Sequence, residues 1–258
     1  MTAPAGSRTC CPAATRLAEA PAGHTPVTPI PQDPSTTIPE RVLLLHGIAR
    51  RASSMSVMER VLRAAGYETL NLDYDARHKP LDALAEDLHE EAGAFLQRPG
   101  GRLHVVAHSM GGLLARAYIT RHRPLALGRM VMLGPPNAGS ELADLLCGQA
   151  LYRRVFGPAG AQLVTAPEAT LAALLGPVDY ELGVIAGDRA LNLLASWFVL
   201  PGPNDGSVCV ARTRVEGMAD HIVLHVTHTL MMRHPEVIRQ SLHFLRHGRF
   251  DHPATAAG

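Results

Sequence analysis

The stretch Leu103-His104-Val105-Val106-Ala107-His108-Ser109-Met110-Gly111-Gly112 leads an apolar, strand-length segment directly into a serine and then into helix-forming sequence. The bare spacing Gly/Ala-x-Ser-x-Gly arises by chance in roughly one chain in six of this length. The context says more than the spacing. A serine at a sharp strand-to-helix turn sits in a strained backbone conformation with its neighbours crowded together, so the flanking positions must be small. Ala107 and Gly111 meet that demand.

On both sides of this stretch, apolar runs alternate with helical periodicity. Val42–Leu45 is a continuous apolar run, as expected for a strand buried on both faces of a parallel sheet. The pattern predicts a helix over 54–65 closed by Gly66, a strand over 69–74 and a helix over 81–97. It continues with a strand at 103–107, a helix over 110–122 and strands at 130–133, 181–186 and 222–226, before a last helix over 235–247. Alternation of this kind predicts βαβ crossovers and an α/β fold, a mostly parallel central sheet with helices on both faces.

Composition narrows the function classes. Of 258 residues, 47% are hydrophobic and 18% charged, and 24 Lys+Arg against 23 Asp+Glu leave a formal charge of +1. Nothing in that balance points to nucleic acid. Pro and charged residues interrupt every apolar run well short of the roughly 18 residues of a membrane-spanning helix. Residues 1–40 hold eight of the 20 prolines and read as an extended, disordered leader. Arg8, Arg16 and Glu19 break any signal-peptide core there, so the cytoplasm is the default expectation, with export left open. Residues 41–250 then form the folded domain and 251–258 a flexible tail. The four cysteines, Cys10, Cys11, Cys147 and Cys209, are too few and too scattered for a disulfide scaffold; Cys10 and Cys11 read as free thiols in the leader, with a Cys147–Cys209 disulfide as the lesser alternative for the other two.

The serine segment resembles the α/β-hydrolase superfamily, and within it the bacterial serine lipases and esterases that carry Ala-x-Ser-x-Gly. Two further segments carry the resemblance, Leu45-His46-Gly47-Ile48 after the first strand and Leu133-Gly134-Pro135-Pro136-Asn137-Ala138-Gly139-Ser140 after the strand that follows the serine helix. The resemblance implies that Ser109 is a nucleophile and that the backbone N–H groups of Ile48 and Met110 form an oxyanion hole. His46, Gly47, Ala107, His108 and Gly111 would then shape and support the site loops. In that superfamily the chain order is serine, acid, histidine. Two acids compete. Asp205 lies in Gly202-Pro203-Asn204-Asp205-Gly206-Ser207-Val208, which resembles the Asn-Asp-Gly-x-Val loop of bacterial lipases, and Asp188 ends a strand in Ala186-Gly187-Asp188-Arg189. Asp205 is preferred because Pro, Asn and Gly build a turn able to hold a carboxylate in fixed orientation. Asp179 and Asp220 lack such a turn.

Fourteen histidines are present and seven lie at or beyond residue 221, so a histidine alone says little. His228, just past the last strand, fits the position of a triad base, while His225 reads as a histidine within that strand. His221, His225 and His228 do not share strand parity, and His243 with His247 is more simply a solvated helix face, so no metal is expected. Residues 137–178 are expected to form a small helical cap or lid. Residues 137–204 carry only nine charged side chains in 68 positions, with apolar stretches at Leu142–Leu151, Leu171–Leu175 and Trp197–Leu200. The expectation is therefore a carboxylic-ester hydrolase without a cofactor, acting on a small-molecule or lipid ester with a hydrophobic acyl group. An acyltransferase, thioesterase or amidase would use the same triad, and a non-catalytic binding module of this fold is the remaining alternative. The oligomeric state is not read from the sequence.

Overall fold

The computed structural model describes residues 38–253, apart from residues 147, 149, 164, 166–168, 191–199 and 201. The leader up to residue 37, Cys147, the Trp197–Val199 stretch and residues 254–258 lie outside the described residues. Six parallel strands form one sheet: β1 (Arg41–Leu45), β2 (Glu68–Leu72), β3 (Leu103–His108), β4 (Leu127–Leu133), β5 (Leu182–Gly187) and β6 (Asp220–Leu224), in the order β2-β1-β3-β4-β5-β6. Helices α1 (Ser56–Ala64), α2 (Leu81–Leu96), α3 (Met110–His122) and α7 (Pro235–His247) connect or follow the strands. Between β4 and β5 lie three short helices, α4 (Glu141–Leu146), α5 (Ala150–Ala161) and α6 (Ala169–Leu175).

The unbroken apolar runs are explained by cover on both faces. Leu43, Leu45, Val105, Ala107, Met130 and Met132 pack towards α2 and α3, whereas Val42, Leu44, Val106, Val131 and Leu133 pack towards α1 and α7. Alternate residues thus feed two separate cores, and each fully buried Leu contributes about 2 kcal/mol. Parallel strands require crossovers, and the chain passes from β1 outwards to β2 and then back past β1 to β3. The crevice outside the carboxyl ends of β1 and β3 is consequently the point where strand order reverses, where open α/β sheets hold their ligands.

Several boundaries differ from the sequence pattern. A 3-10 turn at Ala52–Met55 precedes α1. The chain leaves β2 at Leu72, before Tyr74, where the Asp73 carboxylate accepts the Ala52 N–H at 2.6 Å. The edge of β4 starts earlier, at Leu127. The last strand spans Asp220–Leu224 and stops short because the Val226 N–H donates back to the Leu224 carbonyl at 2.8 Å. His225 is therefore outside the strand in which the sequence pattern set it.

Candidate functional site

Ser109 stands between β3 and α3 at φ 54° and ψ −127°. Ser109 and Ala49 are the only non-glycine residues with positive φ among the described residues. Such backbone costs on the order of 1–3 kcal/mol and persists where the surroundings impose it. Here the Ser109 N–H still donates to the Leu133 carbonyl of β4, at 2.8 Å, while the helix opens at the next residue. The demand for small neighbours follows from close packing. A Cβ on Gly111 would collide with the His46 carbonyl oxygen, and one on Gly47 would stand 2.8 Å from His108 Nδ1 and 3.2 Å from Ser109 Cβ. Ala107 is fully buried in the core beneath.

The segment after β1 forms a tight turn, with the Arg50 N–H donating to the Gly47 carbonyl at 3.2 Å and Ala49 at φ 54° in its third position. The turn holds Ile48 beside the serine in the wall of one cavity. The Ile48 N–H donates to no acceptor among the described residues, and Met110, as the first residue of α3, has no intrahelical acceptor for its own N–H. His46 is buried, with Nδ1 2.8 Å from the Gly47 carbonyl oxygen, and its ring stacks on Tyr74 at 4.1 Å and 7°. Burial holds the His46 imidazole below its ordinary pKa.

The acid is fixed by a knot of backbone donors. Asp205 Oδ1 accepts the N–H groups of Ser207 and Val208 at 2.9 and 2.8 Å, and Asn204 Oδ1 accepts that of Gly206 at 3.0 Å. Its side chain is wholly buried, and Oδ2 accepts the His228 Nδ1–H at 2.7 Å. The Asp205 carbonyl also accepts the His228 backbone N–H at 3.0 Å, so one residue grips the histidine twice. With Nδ1 donating to the carboxylate, the network assigns the bare lone pair to Nε2, which accepts the Ser109 hydroxyl at 3.0 Å. His108 Nε2–H donates to the His228 carbonyl at 3.0 Å and anchors that loop to β3. Burial first, and repulsion from His228 second, hold the His108 ring well below its ordinary pKa, so it stays neutral.

The structure thus brings Ser109, His228 and Asp205 into one relay. The competing residues meet each other instead: His225 Nδ1 lies 2.9 Å from Asp188 Oδ1 on the surface, with the histidine side chain 74% exposed. His221 turns inward, donating from Nε2 to the Thr213 hydroxyl at 2.9 Å, and burial pushes its pKa down to about 4. The three histidines of β6 and the loop after it therefore serve three separate partners. No group of three or more metal-ligating side chains occurs among the described residues. Cys209 is a buried free thiol, pushed up to about 12 by burial.

A cavity of about 310 Å³ opens on Ser109 and His228, walled by Ile48 and by Ala143, Phe156 and Leu163 from the segment between β4 and β5. Ser140 Oγ–H donates to the Ser207 carbonyl at 2.9 Å and ties that segment to the acid loop. Phe156, Leu163 and Arg50 also line the cavity and carry no local mark in the sequence, because neither an apolar residue between β4 and β5 nor an arginine in a turn shows what it faces. No described helix is long and apolar enough to cross a membrane.

No protein-family model matches the chain, and no curated protein matches it. Solved structures do. The mature form of lipase BlEst2 from Bacillus licheniformis aligns over 84% of this chain and 93% of its own, at 20% identity and a TM-score of 0.61. The metagenomic carboxyl esterase MGS0156 aligns over 84% of this chain and 71% of its own, at 19% identity and a TM-score of 0.62. Phospholipase PlaB from Legionella pneumophila aligns over 68% of this chain and 45% of its own, at 19% identity and a TM-score of 0.54. Strand order, the serine turn between β3 and α3 and these likenesses agree: the chain has the α/β-hydrolase fold.

Proposed function

We propose that this protein is a serine ester hydrolase that works through a covalent acyl-enzyme. The observation that carries the reading is the unbroken contact from Ser109 Oγ to His228 Nε2 at 3.0 Å and from His228 Nδ1 to Asp205 Oδ2 at 2.7 Å, with the serine on a strained turn. His228 takes the hydroxyl proton as Ser109 Oγ attacks the acyl carbonyl, and Asp205 holds the imidazole tautomer and stabilises the imidazolium. The N–H groups of Ile48 and Met110 receive the developing oxyanion, and one such donor is worth roughly 10²–10³ in rate. His228 returns its proton to the departing alkoxide, then activates the water that releases the carboxylic acid. None of these steps calls on a cofactor.

The acyl group occupies the cavity walled by Ala143, Phe156 and Leu163, which favours a hydrophobic acyl chain of a small or lipid ester. The segment that carries α4 and α5 acts as the cap over it. The test is hydrolysis of p-nitrophenyl esters of increasing acyl length by wild type and Ser109→Ala. Serine-dependent turnover with a chain-length optimum is expected. Well-folded wild type that turns over none of them, and is not labelled at Ser109 by an alkyl fluorophosphonate, overturns the reading.

A further inference from the structure

A second cavity, of about 520 Å³, lies between α3, α6 and the loop that follows β4. Volumes of this order suit a small-molecule ligand. Its walls are mainly apolar, with Leu113, Leu171, Leu175, Val178 and Val215, and into them α3 brings Arg116. Arg116 is only 6% exposed. Its guanidinium donates to Asn137 Oδ1 at 3.0 Å and to the Gly176 carbonyl at 2.9 Å, and hydrogen-bonds the Tyr180 hydroxyl. All of these partners are neutral. The Nε–H is buried with no partner, and no carboxylate lies within ion-pair distance among the described residues. The one carboxylate on the cavity wall, Glu216, is exposed.

An arginine stays protonated in proteins, so this is a buried cation without a counter-ion, an unfavourable arrangement. Bridging Asn137 to Gly176 needs only neutral donors and does not account for a charge. We propose that this cavity is a binding site for an aliphatic carboxylate, with Arg116 as its counter-ion and the leucine and valine walls taking the hydrocarbon. One guanidinium balances one negative charge, which fits a monoanion rather than a phosphate dianion, and its planar fork matches a carboxylate. Burial lowers the guanidinium pKa, in the direction that an anionic partner would reverse. The site is distinct from the serine. Arg116 follows Ser109 by seven residues on α3, about 10 Å along the helix axis, and the walls of the two cavities share Pro136. The inference does not depend on the reaction at Ser109.

The test is calorimetric titration of the full chain with sodium octanoate below its micelle concentration, with 1-octanol as the neutral control. Wild type is expected to bind one octanoate per chain, more tightly than octanol. Arg116→Met removes the charge and Ala172→Trp fills the cavity from α6; each is expected to weaken octanoate by at least about tenfold, the loss of one charge-assisted contact. Ala143→Trp, which fills the Ser109 cavity instead, is expected to leave octanoate affinity within about twofold. Octanoate binding no tighter than octanol overturns the proposal. So does binding that Ala143→Trp abolishes and Ala172→Trp spares. If Arg116→Met fails to fold, Ala172→Trp decides alone, because that residue is exposed on α6.

Discussion

His228 and His225 follow β6 on the same loop, and each meets an aspartate through Nδ1, at 2.7 Å for Asp205 and 2.9 Å for Asp188. The chemistry of the two pairs is the same and the surroundings are not. Asp205 is wholly buried and held by two backbone N–H donors, whereas Asp188 is 37% exposed and its histidine 74% exposed. An exposed pair contributes between nothing and about 1 kcal/mol and reorients freely. The buried pair has one geometry, and that geometry ends on Ser109 Oγ. The difference teaches that a histidine next to a carboxylate is not in itself a site; the fixed second partner makes it one.

Breaking the buried pair is expected to give the largest effects. Ser109→Ala and His228→Ala should each lower kcat/KM on an activated ester by at least about 10⁴, with circular dichroism unchanged, while His225→Ala stays within about twofold of wild type. An equal loss from both histidine variants would remove the distinction between the two pairs. Asp205→Asn should cost up to about 10⁴ in kcat by losing control of the tautomer, and Asp188→Asn nothing measurable in the same assay.

The buried imidazoles also make stability depend on pH. Burial holds His46, His104 and His108 below the ordinary value of 6.5. Their pKa is thus lower folded than unfolded, so below pH about 6.5 the unfolded chain binds more protons and stability falls as pH drops. The slope approaches about 1.4 kcal/mol per pH unit for each such group. Urea midpoints at pH 7.5, 6.5 and 5.5 should decline in that order. The smallest effect concerns the other strained residue near the site. Ala49→Gly relieves the left-handed backbone but loosens the unfolded chain, for a net gain of about 0.5 kcal/mol in urea unfolding.

Much of this was legible in the residues themselves. The runs Val42–Leu45 and Leu103–Ala107 announced strands covered on both faces because no exposed face interrupted them. Ser109 was legible through its small neighbours, and Asp205 through its Asn-Asp-Gly turn, since both signals are local. The place of His225 was not, because β6 ends on a backbone hydrogen bond from Val226 that no side chain advertises. Nor was Arg116, which sits in an ordinary helical pattern and becomes unusual only once α6 and the Asn137 loop close over it.

His108 anchors the His228 carbonyl across 120 residues of sequence, and the hydroxyl–imidazole contact spans 119. While the chain is being synthesised, the strained serine turn can form as soon as β1, β3 and β4 have emerged, but the imidazole that would activate it arrives far later. On the proposed reading, the nascent protein would carry Ser109 without its base until the C-terminal loop closes on the sheet.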